Sequence, residues 1–259
     1  MSHKFLLVIA LSSKNVPYWV SYCRAHALSM IVNLYDSHAE FPCETSKTYH
    51  VAGSKALFWK ALSDTSIFKY VWFMDEDIRY YDASFASIDR IMTLTNASIL
   101  QPHVVPVNHG KFNILMDPNF PCLVHTTSFV EVQAPLFTSH AWSLFRNDVV
   151  RRVPDSVLRH SDWLDSFWCK FVEDRLNSTC IFSRSTVVKH LDMKTFKSNR
   201  SMRTMHYHAI SPNVRNYIRF PGRQEKHVRC FDERYDASRQ IKILKNSQDK
   251  IRKRTLQIT

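Results

Sequence analysis

Residues 70–77 read Tyr-Val-Trp-Phe-Met-Asp-Glu-Asp. Five large apolar side chains in succession fit a strand covered on both faces, as in a parallel sheet packed between helices. Such a strand cannot carry unpaired carboxylates along its length, so Asp75, Glu76 and Asp77 must emerge at its C-terminal end. Open α/β sheets bind their ligands there. Three acids this close repel one another unless a cation or basic group sits among them. Hard oxygen ligands of this kind suit Mn²⁺ or Mg²⁺ bridging to phosphate oxygens. The motif points to metal-assisted handling of a diphosphate, against the plainer reading of a solvated acidic turn.

The flanking pattern agrees with an α/β sheet. Phe5–Leu11 is a continuous apolar run, Tyr18–Leu28 has helical spacing, and Ser29–Tyr35 is a second strand ending at Asp36. Lys47–Val51 reads as a short third strand, Gly53–Leu62 as a helix and Phe68–Met74 as the strand that delivers the acids. Strand, helix, strand, helix, strand is the doubly wound arrangement, with parallel strands and right-handed crossovers. Further on, Ala83–Leu94 reads as a helix, Ala97–Gln101 as a strand and 103–128 as a loop region over the site. Phe129–Phe137 alternates like a strand, Ser139–Val150 and Asp162–Leu176 look helical, and Thr179–Phe182 and Ser185–Val188 are strand-like.

Composition narrows the chemistry. Only three glycines occur in 259 residues, Gly53, Gly110 and Gly222. Neither a G-x-G-x-x-G fingerprint nor a Walker A loop can be built from them, so side chains and a metal must hold any nucleotide. Residues 194–259 hold 17 Lys and Arg against 5 Asp and Glu, which accounts for the whole net charge of +12. The expected organisation is a catalytic domain over 1–193 and a basic extension over 194–259. Such an extension suits peripheral contact with an anionic membrane through the C-terminus. Six scattered cysteines without C-x-x-C pairs read as reduced core thiols. No segment is long enough to span a bilayer, and without a recognisable signal segment the expected location is cytoplasmic. N-x-S/T sites at Asn96, Asn177 and Asn199 are then expected to go unused.

Several segments together resemble the domain-of-unknown-function family numbered 707, which is found in plants and bacteria and regarded as glycosyltransferase-like. They are Tyr70 to Asp77, Ile99-Leu-Gln-Pro102, Phe129 to Phe137 with Ala141-Trp142, Ser161 to Asp165, and Val187-Val-Lys-His-Leu191, in the family's order. The stretch covered is roughly residues 5–196. Where the family has Gly-Trp-Gly-Leu-Asp, this chain has Ser161-Asp162-Trp163-Leu164-Asp165, keeping the last acid and losing both glycines. A short member is also similar to enzymes that large algal viruses encode to glycosylate their coat proteins.

The resemblance implies a glycosyltransferase-A fold, with an open, mostly parallel twisted sheet flanked by helices. It implies a nucleotide-sugar donor, a UDP-sugar above all, a glycan or glycoprotein acceptor, Mn²⁺ or Mg²⁺, and transfer with inversion. On that pattern Asp75 and Asp77 form the metal site, Asp77 as the direct ligand and Asp75 contacting ribose or a metal-bound water, while Glu76 points away. His190 is a further metal ligand, and Lys189 and Lys194 face the diphosphate. Inversion needs a carboxylate to deprotonate the acceptor hydroxyl, and Asp165 is the first candidate, with Asp162 and Glu131 beside it. Ser12 and Asp36, ending the first two strands, lie where a nucleotide base and ribose would sit. Lys55 follows Gly53-Ser54 at a helix start, an anion-binding position.

The competing class is a metal-dependent phosphoesterase or nuclease using the same acids, its basic tail gripping nucleic acid. Only His190 is an obvious further recruit for such a site, which makes nucleic acid the weaker partner. A third class, a non-catalytic carbohydrate- or membrane-binding protein, would have no need of intact acids.

Overall fold

The computed structural model describes residues 4–82, 84–105, 122–159, 161–191 and 231. In chain order the elements are β1 (Phe5–Leu11), α1 (Val16–His26), β2 (Ser29–Leu34), β3 (Ser46–Tyr49), α2 (Lys55–Ala61), β4 (Tyr70–Asp75) and β5 (Ile78–Asp82). There follow α3 (Phe85–Thr95), β6 (Ala97–Val105), β7 (Val124–Thr127), β8 (Leu136–Thr138), α4 (Ser139–Asp148), α5 (Asp155–Leu158), α6 (Trp168–Leu176) and β9 (Thr179–His190). All pair in one sheet of order β3-β2-β1-β4-β8-β6-β9-β5, with β7 also on β9. Strands β3, β2, β1 and β4 run parallel, and so do β6 and β9. β8 is antiparallel to both β4 and β6, so those two share one direction.

Strand alternation builds a core on each face of the sheet. Leu6, Val8, Val71 and Phe73 pack with Phe58 and Trp59 of α2, Trp142 of α4 and Trp168 of α6. Phe5, Leu7, Ile9, Trp72 and Met74 pack with Trp19 of α1 and Ile88 of α3. Aromatic contacts tie the first face together, with Trp142 4.4 Å from Phe73 between ring centroids. Asn96 and Asn177, both in N-x-S/T sites, occupy the left-handed positions closing α3 and α6 (φ 50° and 47°). Asn tolerates that conformation better than most residues, which gives both a structural reason to be there.

The structure corrects several sequence readings, including the 103–128 loop, into which β6 extends to Val105 and in which β7 lies. Residues 129–137 form a strand only over 136–138, because their ladder is interrupted by side chains. Trp72 and Trp168 indoles donate to the Ala134 and Val130 carbonyls, and the Gln101 amide oxygen accepts from the Glu131 amide. The expected 162–176 helix is a 3₁₀ segment over Ser161–Ser166 followed by α6, since an i, i+3, i+4 apolar spacing suits either pitch. The two late strands are one, running through to His190, and β5 was hidden behind the acids that precede it.

The described cysteines are not reduced thiols, which corrects that expectation, and Cys230 lies outside the described residues. Cys23 pairs with Cys43 and Cys169 with Cys180, and Cys122 is disulfide-bonded as well. The sequence shows no paired motif because each bridge joins different elements. Bridges of this kind belong more readily to an oxidising compartment than to a reducing cytoplasm. Among the described residues no helix is long and apolar enough to cross a membrane. Cys43→Ala opens a bridge spanning 20 residues and is expected to lower unfolding free energy by about 3 kcal/mol. Denaturant midpoints under oxidising conditions check this, and an unchanged midpoint would refute it.

The expected boundary at 193 and Lys194 lie outside the described residues. Within the basic extension Phe231 is described. Its amide donates to the Val124 carbonyl (3.1 Å), and its ring packs against the α1–α3 face of the core.

Candidate active site

The acids leave the sheet at the C-terminal end of β4, between β1 and β8. By alternation Asp75 falls on the same face as Val71 and Phe73, the face covered by α2. Lys55, the first residue of α2, meets it there, with Nζ 2.6 Å from Asp75 Oδ1 and 3.2 Å from the Val132 carbonyl. Lys55 therefore reaches a carboxylate, and its position at a helix start is incidental. Burial pushes the Asp75 carboxyl up, and the Asp77 charge adds to that, while Lys55 and His190 oppose it.

Asp77 is buried in the turn between β4 and β5. β5 pairs antiparallel with the end of β9, setting Ile78 opposite His190, and the Leu191 amide donates to the Asp77 carbonyl at 2.9 Å. This register brings His190 Nε2 to 3.1 Å from Asp77 Oδ2. Glu131 enters from the segment before β8, its amide held 2.6 Å from Gln101 Oε1. Burial raises the Glu131 carboxyl, Lys55 and His190 lower it, and Asp75 raises it further. Asp75, Lys55, His190 and Glu131 thus share one electrostatic field, with Asp77 against His190.

Among the described residues no group of three or more His, Cys, Asp and Glu side chains is arranged to hold a metal ion. Hard cations bound with phosphates take as few as one or two protein ligands, with phosphate oxygens and water completing the shell. Asp77 supplies one such carboxylate, with His190 beside it; their Oδ2 and Nε2 face each other at 3.1 Å, and both would turn to a cation only by opening that contact. Asp75 has its Oδ1 on Lys55 and would join only by opening that ion pair.

Ser12 and Asp36 sit together at the ends of β1 and β2. Ser12 donates both its amide (2.7 Å) and its hydroxyl (2.6 Å) to Glu76 Oε2. Asp36 accepts from the Ser13 amide (2.8 Å) and hydroxyl (3.1 Å). Glu76 does point away from Asp75 and Asp77, toward this wall, where it also accepts from Asn15 and Tyr35. Sequence reading missed Glu76 as a structural centre, and Arg79 too. Arg79 donates to the Glu76 carbonyl (2.5 Å) and lies 4.0 Å over the Tyr18 ring. The available signal was a lone Arg79 between Ile78 and Tyr80 straight after the acids.

Asp165 occupies the 3₁₀ segment before α6, half-buried, and accepts from Ser166 Oγ at 3.3 Å. That segment is anchored next to Glu131 by the Trp168 indole on the Val130 carbonyl (2.7 Å). Asp165 is not among the principal charges acting on Asp75 or Glu131. The Asp162 side chain lies outside the described residues.

No family model and no curated protein matches the chain, so the likeness to family 707 stands on its motifs. Solved structures do match. S. aureus TarS 1–349 in complex with UDP superposes with a TM-score of 0.51 at 9% identity, covering 80% of this chain and 64% of that one. The same protein in complex with UDP-GlcNAc gives 0.46 at 9% identity with the same coverage. A197 from STIV gives 0.40 at 8% identity, covering 73% and 85%. This chain thus spans less than two thirds of the TarS fragment. At such identity the UDP-bound TarS superposition speaks to architecture alone. Together with six parallel strands, an antiparallel β8 inserted between β4 and β6, and acids at the C-terminal end of β4, it identifies the glycosyltransferase-A fold.

Proposed function

We propose that this protein transfers a sugar from a UDP-sugar to a hydroxyl of a glycan or glycoprotein acceptor, with inversion and with Mn²⁺ or Mg²⁺. One observation carries the reading: Asp75, Asp77, His190, Lys55 and Glu131 converge at the C-terminal strand ends of this fold. TarS of the same architecture was captured with UDP, which supports the choice of donor.

Asp77 and His190 would hold the cation, which supplies charge stabilisation to the departing diphosphate. Lys55 is placed to add a second positive charge beside that group, released in part from Asp75 as the donor enters. Glu131, its carboxyl raised by burial, takes the acceptor proton in its ionised form as the hydroxyl oxygen bonds to the anomeric carbon and the bond to the diphosphate breaks. A carboxylate so raised is a stronger base than a solvated one. This favours Glu131 over Asp165, the first candidate from sequence.

Thermal shift with UDP, Mn²⁺ and both together tests the reading. A ligand at a hundredfold its Kd stabilises by about 2.7 kcal/mol, and UDP with Mn²⁺ is expected to exceed the sum of the separate shifts. Stabilisation by oligonucleotides alone would replace this reading with the nuclease one.

A further inference from the structure

Glu76 is 7% exposed, and inside the protein its carboxylate accepts four hydrogen bonds. Oε2 accepts from the Ser12 amide (2.7 Å), the Ser12 hydroxyl (2.6 Å) and Asn15 Nδ2 (2.7 Å), and Oε1 accepts from the Tyr35 hydroxyl (2.7 Å). Its own carbonyl is taken by Arg79 (2.5 Å) and by the Trp19 indole (3.3 Å).

The donors and their acceptor come from three different strand ends. Ser12 follows β1, Tyr35 follows β2 and Glu76 follows β4, and these strands are neighbours in the sheet. Loops beyond strand ends have no ladder to fix them, and a ligand that must order them loses affinity. One carboxylate with four donors fixes all three ends before any ligand arrives, through charge-assisted bonds stronger than neutral ones. Glu76 also lies between Asp75 and Asp77 in the chain, so the same side chain sets the base of the acidic turn. The polar groups of Ser12 and Tyr35 are consumed by it, so both act through the network.

We infer that Glu76 is the positioning residue of the donor site, cross-tying β1, β2 and β4 so that the nucleotide wall and the acidic turn are preformed. The inference rests on the donor reading above, but its structural half can be measured without ligand. A glutamine can keep its oxygen on the Ser12 and Asn15 donors and turn its NH₂ to Tyr35, whose hydroxyl can accept. Aspartate is one methylene too short to reach, and alanine offers nothing.

Hydrogen–deuterium exchange of the unliganded protein and UDP calorimetry with Mn²⁺ together test it. Glu76→Ala is expected to speed exchange in segments 12–15 and 35–36 while β6 and β9 keep wild-type protection. UDP affinity should fall about ten- to a hundredfold in Glu76→Ala and Glu76→Asp, as for loss of one or two charged hydrogen bonds. Glu76→Gln should stay within about threefold of wild type, since it keeps the bonds and loses only their charge. Tyr35→Phe, a milder change, should weaken UDP by about three- to tenfold and add nothing to Glu76→Ala. Wild-type exchange and affinity in Glu76→Ala, or full additivity with Tyr35→Phe, overturns the assignment, as does faster exchange throughout the sheet. If the wild type itself fails to bind UDP, the donor reading falls, and exchange alone then decides for or against the cross-tie.

Discussion

Glu131→Gln is expected to reduce sugar transfer by a factor on the order of 10²–10⁴, the usual loss on removing a general base, while UDP affinity stays near wild type. The substitution keeps size and removes a carboxylate that lies in the field of Asp75, Lys55 and His190 and, among the described residues, has no ion pair of its own. Because burial raises this carboxyl, kcat/KM of the wild type should fall on the acid side at a pH above the ordinary glutamate value of about 4.3, and that limb should vanish in the variant. Stability carries the opposite signature. A raised carboxyl binds its proton more tightly folded than unfolded, so its contribution is most favourable at low pH and declines as pH rises through the raised value. Glu131→Gln should therefore be the more stable protein at pH 7 and lose that advantage below the ordinary glutamate range. Near-normal transfer in Glu131→Gln, with the loss appearing in Asp165→Asn, would move the base to Asp165.

Asp77→Asn is expected to weaken Mn²⁺ binding in the presence of UDP by about a hundredfold or more, some 2.7 kcal/mol, with the fold intact. The substitution keeps the shape of the turn and removes the negative charge that faces His190 at 3.1 Å. His190→Ala should weaken the same equilibrium, since it deletes the other half of the pair. Asp75→Asn should act differently. It frees Lys55 from its 2.6 Å ion pair, so metal affinity should change less than in Asp77→Asn. Calorimetric titration of Mn²⁺ into each variant with saturating UDP separates these cases. A larger metal loss in Asp75→Asn than in Asp77→Asn would exchange their roles.

Much of this site could be read from the chain. The run from Tyr70 to Met74 specified a strand buried on both faces, and that alone required the acids to surface at its end. The continuous apolar run of β1 likewise announced a buried parallel strand, and the scarcity of glycine ruled out a phosphate-cradling loop. Readings failed where local pattern was ambiguous. Apolar spacing before α6 suited a 3₁₀ turn as well as a helix, and the alternation at 129–135 came from residues pinned by Trp72, Trp168 and Gln101.

What the sequence determined by itself was the order of strands and helices from β1 to β4 and the presence of carboxylates at a strand end, because both follow from short-range periodicity and burial. Partnership was left to the tertiary structure. Lys55 meets Asp75 because α2 covers the face to which odd-numbered residues of β4 point. His190 reaches Asp77 because β5 pairs with the end of β9 in a particular register, and Glu76 faces Ser12 and Tyr35 because β2, β1 and β4 are adjacent. Cys23 finds Cys43, and Cys169 finds Cys180, for the same reason. Each of these contacts joins elements whose local propensities are satisfied equally well apart, so only the packing of the whole sheet selects them.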